Sequence, residues 1–92
     1  MSFAVIQVST GVVYGIGDSV AGAVADASEW CDRDAMRELA EAPILDDART
    51  IRDLSEGFAI APAHPTFCDA VSRRGGDIPW TTWKGKISDL CA

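Results

Sequence analysis

The chain carries little with which to do chemistry. Its 92 residues include one histidine, three cysteines and one tyrosine. Cys31, Cys68 and Cys91 make no CxxC pair, and their number is odd. A secreted disulfide framework normally has an even count, so reduced thiols in a cytoplasmic protein fit better. Zinc takes close pairs of ligands, and His64–Cys68 is the one such pair here, interrupted by Pro65. Three small buried hydrophobes and one solvent-facing histidine account for the same residues, so neither a metal nor a cofactor is expected. Long apolar runs are also missing. The run over residues 3–6 breaks at Gln7 and follows no basic segment, which argues against a secretory signal. No stretch approaches the roughly 20 apolar residues of a membrane-spanning helix. Positive charge is scarce as well: eight lysines and arginines stand against 14 acids, for a net charge of −6. Such a chain repels phosphate backbones, which disfavours direct binding to nucleic acid.

What is present suffices for one domain over residues 1–92. Its centre is residues 12–31, which read as strand, glycine turn and amphipathic helix. Val12, Val13 and Tyr14 favour a strand, and Gly15 and Gly17 bracket Ile16 as turn punctuation. Asp18 or Ser19 then caps a helix running to about residue 31. Val20, Val24, Ala27 and Cys31 share one face of it, with Trp30 at the edge of that face. Before this unit, residues 3–8 predict a strand with Phe3, Val5 and Val8 facing the core. Ser9-Thr10-Gly11 joins it to the second strand as an antiparallel hairpin.

After it, Asp32 or Asp34 caps a second helix carrying Ala35, Met36, Leu39 and Ala40, and Pro43 ends it. A short helical turn is expected around residues 49–54, then a third strand at residues 58–61. Thr66 with Asp69 resembles a capping box for a further helix, closed by Gly75-Gly76. Trp80-Thr81-Thr82-Trp83 is β-like. The expected fold class is α+β, a small, mostly antiparallel sheet of three or four strands with helices packed on one face.

Three catalytic or binding patterns fall short. The Gly15-Ile16-Gly17 pair lacks the third glycine of a dinucleotide loop, because Val20 stands there. Asp18 would also place a negative charge against a pyrophosphate. His64 and Cys68 could form a nucleophile pair, yet nothing orients the imidazole or supplies an oxyanion hole. The carboxylate pairs Asp46-Asp47 and Asp32/Asp34 read as caps and solvated loops.

Two features remain. Residues 18–56 hold eleven acids against four arginines, a local charge of −7, whereas residues 57–92 sum to +1. The acidic band comprises Asp26, Glu29, Asp32, Asp34, Glu38, Glu41, Asp46, Asp47, Asp53 and Glu56. Such a band can imitate the charge spacing of a nucleic-acid backbone and attract a basic protein groove, while its plainest role is solubility. The second feature is Trp80 and Trp83 beside Lys84 and Lys86, since tryptophan is a frequent interface anchor.

The opening FAVIQVSTGVVYGIGD, the acidic helices through EWCDRDAMRELAEAP and the tail GGDIPWTTWKGKISDLCA together resemble small phage and mobile-element proteins of the anti-CRISPR type. The resemblance is one of size, acidity and architecture, and it carries over no functional residue. It implies a non-enzymatic protein, acting in the cytoplasm of a bacterial host, that binds a CRISPR effector complex or nuclease and blocks target binding. The expected partner-binding residues are Asp26, Glu29, Asp34, Glu38, Glu41, Asp46 and Asp47, with Trp80 and Trp83. An antitoxin or regulatory subunit working through Trp80 and Trp83 is the alternative.

Overall fold

A computed structural model of the chain describes residues 2–9, 12–65 and 68–69. Among them, three strands form one antiparallel sheet: β1 (Ser2–Gln7), β2 (Val13–Gly17) and β3 (Phe58–Ala63), in the order β2-β1-β3. Between β2 and β3 come α1 (Val20–Ser28), α2 (Arg33–Ala40) and a 3₁₀ turn at Ala48–Asp53. The α+β class, the antiparallel hairpin, both helices and the short turn before β3 agree with the sequence reading. The tail strand and the Thr66 cap lie outside the described residues. Pro65 is already helical, and the Cys68 amide donates to the His64 carbonyl at 3.2 Å.

The central strand is buried on both sides, as Ala4, Val5 and Ile6 show. Side chains alternate along a strand, so neighbours in sequence serve opposite faces. Val5, Phe58 and Ile60 meet Ala23 and Ala27 of α1 and Leu39 of α2. Ala4, Ile6, Val13, Ala59 and Ala61 face the other way, where Ile51 of the 3₁₀ turn, with Leu45, Leu54 and Cys68, covers them. Both α-helices therefore share one face. A register shift between Val5 and Ile6 puts an extra residue, Tyr14, into β2. That bulge turns Tyr14 to the helical face, where its ring meets Phe58 edge-on at 5.0 Å.

Gly15-Ile16-Gly17 departs from the sequence reading: it is strand, not turn. A Cβ on Gly15 would lie 2.4 Å from the Ala27 amide nitrogen and 2.5 Å from the Ala23 carbonyl oxygen. One on Gly17 would lie 2.5 Å from the Ala23 nitrogen. The glycines thus let α1 rest its backbone directly on β2, with alanine as the facing residue.

The helices are shorter than expected and well capped. Ser19, extended, accepts the Gly22 amide at 3.0 Å, and Asp32 accepts that of Ala35 at 2.8 Å. Met36 and Ala40, assigned by spacing to the inner face of α2, are exposed; Leu39 and the half-buried Ala35 carry that face. Strand β3 runs on through Pro62. The Ile60 amide points outward to the Pro43 carbonyl, so the Pro62 nitrogen, two residues on, also faces away from β1 and no ladder bond is lost.

Candidate functional site

The acidic residues sit on three elements. α1 supplies Asp26 and its C-cap Glu29; α2 supplies its N-cap Asp32, then Asp34, Glu38 and its C-cap Glu41. Asp46 and Asp47 occupy the loop that leads into the 3₁₀ turn, with Asp53 at its end and Glu56 beyond. Nearly all of them are exposed; Asp47 is half-buried.

Two members of the expected site already have structural work. One carboxylate oxygen of Asp26 accepts the Ile16 amide of β2 at 3.0 Å. This N–H points away from β1, so Asp26 ties α1 to the strand and occupies the exposed donor. The backbone carbonyl of Asp47 accepts both the amide and the hydroxyl of Thr50, at 3.0 and 2.7 Å, starting the 3₁₀ turn. Sequence reasoning placed both residues in a solvated band because these partners lie ten residues away or on a backbone atom.

The α2 residues arrange differently from a uniform band. At 100° per residue, Ala35 and Leu39 face the sheet, while Asp34, Glu38 and Glu41 fall in one row along one flank. Arg33 and Arg37 fall in a second row beside it, followed by Met36 and Ala40 on the other flank. The helix is therefore divided lengthwise into an acidic row, a basic row and an apolar margin. The acidic row holds three carboxylates spaced about 5 Å apart along the axis, sparser than the phosphates of one DNA strand at about 3.4 Å.

Trp30, placed by spacing at the edge of the buried face, is instead 68% exposed. The helix ends at Ser28, so the spacing rule that joined Trp30 to the apolar face no longer applies. Trp80 and Trp83 lie outside the described residues.

The other candidates resolve into packing. Cys68 is half-buried against the Ala4–Ile6 face of the sheet. Burial raises its thiol pKa above the ordinary range; a hydrogen bond with Ser2 pulls it back in part, and the Asp69 and Asp18 carboxylates add smaller upward pushes. Burial and Asp32 likewise raise the Cys31 thiol. A nucleophilic cysteine needs the opposite shift. Among the described residues no three His, Cys, Asp or Glu side chains converge to hold a metal ion, and no helix is long and apolar enough to cross a membrane.

Comparison with protein families, with curated proteins and with solved structures finds no match to this chain. The functional reading therefore rests on the residues alone.

Proposed function

We propose that this chain is a non-enzymatic inhibitor that presents the acidic flank of α2 to the basic, nucleic-acid-binding surface of a larger protein, in the manner of anti-CRISPR proteins. One observation carries the reading: Asp34, Glu38 and Glu41 stand exposed in one row along a flank of α2. Asp34 and Glu38 are four residues apart, as are Arg33 and Arg37, and both are like-charge pairs. Each such pair disfavours a helix by a few tenths of a kcal/mol, and the opposite-charge neighbours Asp34–Arg37 and Arg37–Glu41, three and four residues apart, offset this, so the row is left on the surface at little expense to the helix. Glu38 and Glu41 also stand at the C-terminal end, where the helix dipole favours cations.

The partner class follows from the chemistry. A row of carboxylates on one flank of a helix fits a groove lined with arginine and lysine, and occupancy of that groove excludes the nucleic acid. The test is a titration of purified CRISPR effector complexes and nucleases with the chain, between about 0.05 and 0.5 M salt. Affinity for the true partner should fall steeply with salt. Glu38→Lys with Glu41→Lys should cost about tenfold or more, the sum of two lost ion pairs and new repulsion. Asp69→Lys should cost little. Binding that ignores both salt and the α2 charges would overturn the reading.

A further inference from the structure

The corner between α1 and α2 displays a large apolar side chain from a fixed backbone, and we infer that Trp30 anchors the contact by taking an arginine of the partner on its indole face. This rests on the acidic-flank reading and deepens it by naming the partner's side-chain chemistry.

The corner is held from both sides. The Trp30 amide donates to the Ala27 carbonyl at 3.0 Å and the Cys31 amide to the Ser28 carbonyl at 3.4 Å, closing α1. The Asp32 carboxylate then holds the Ala35 amide and opens α2. Cys31, between them, is half-buried among the residues under the two helices. The backbone that carries Trp30 is therefore held in place, and 68% of the residue's surface remains in water. Tryptophan is highly buried in most folds, and an exposed one on a fixed backbone is a ready interface hot spot.

The neighbours select the occupant. Glu29 precedes Trp30 and Asp32 follows within two residues, both exposed. An apolar partner would strip water from these carboxylates and return no charge. A lysine would pair with them but keeps its own tight hydration shell. A guanidinium meets both demands: its N–H groups pair with a carboxylate in the ring plane while its face lies on the indole. The occupant is thus an arginine-rich protein surface, the kind that grips phosphates.

Deca-arginine and deca-lysine peptides are the probes. Both sense the carboxylates; the ratio of their affinities senses the indole. For the native chain the arginine peptide binds more tightly. In Trp30→Leu, which keeps apolar bulk without a π face, that ratio should fall about threefold, with Trp30→Phe retaining part of it. Deca-lysine affinity should stay within about twofold in both variants, since their charge is unchanged. An unchanged ratio in Trp30→Leu overturns the anchor alone. Loss of binding to both peptides, or deca-lysine affinity indifferent to Glu38→Lys with Glu41→Lys, overturns the acidic-flank reading beneath it.

Discussion

Asp26 and Cys68 show how the setting of a single side chain decides its role. By residue type Asp26 belongs to the partner-binding acidic band and Cys68 to a candidate nucleophile pair, and both are used for structure. The Asp26 carboxylate reaches the Ile16 amide, so Asp26→Ala should cost about 1 kcal/mol in urea unfolding, with Asp26→Asn recovering most of it through its carbonyl oxygen. A purely solvated Asp26 would show no difference between the two. Cys68 gives a pH signature. Its thiol pKa is raised in the folded state, chiefly by burial, so the folded chain holds this proton at a pH where the unfolded chain has released it. The stabilisation is complete below the unfolded pKa of about 8.5 and is lost as pH rises through the higher folded value. Unfolding measured from pH 7 to 10 should therefore lose less stability with pH in Cys68→Ala than in the native chain. Cys31, shifted in the same direction, leaves a smaller slope in that variant.

The elements show how much of the fold is legible in residue order. Alternation and β-branching locate the three strands of the described residues; each helix start is legible to within a choice of two caps, Asp18 or Ser19 and Asp32 or Asp34, of which the structure uses Ser19 and Asp32. What spacing alone missed was decided by contacts between elements. Gly15 and Gly17 look like turn residues in any local reading, because the helix that needs their missing Cβ atoms begins three to five residues later. Periodicity puts Trp30 at the edge of the buried face, which presumes a helix running past Ser28, and Met36 inward, whereas the sheet takes only the Ala35–Leu39 side of α2. The glycine finding is testable. Gly15→Ala brings a methyl against the backbone of Ala23 and Ala27, which cannot swing away as a side chain can. The expected loss is about 2–3 kcal/mol, from displaced packing of α1 on β2. Gly57→Ala should lose about 1 kcal/mol for a different reason: its φ is +79°, and nothing crowds a Cβ there. If Gly15 were only a turn residue, the two losses would be similar.

At the scale of the whole molecule, charge is what distinguishes this chain, and it acts on folding and on binding with opposite sign. The stretch of −7 over residues 18–56 is folded into two adjacent helices and a loop, so its carboxylates repel one another more in the native state than in an expanded one. Sodium chloride screens that repulsion. Raising it from about 0.02 to 0.5 M should stabilise the fold by roughly 0.5 kcal/mol, a rise of about 2–4 °C in midpoint for a domain of this size. A native state held together by surface ion pairs would lose stability over the same range. The same salt should weaken the complex with a basic partner, because there the carboxylates meet cations. Thermal melts of the free chain and titrations with the partner, run in one salt series, thus separate two origins of the acidity. Stability rising while affinity falls is the expected pair of slopes for a surface built to be neutralised by another molecule. Stability falling with salt would mean that the acids are already neutralised within the chain, leaving α2 with no charge to offer.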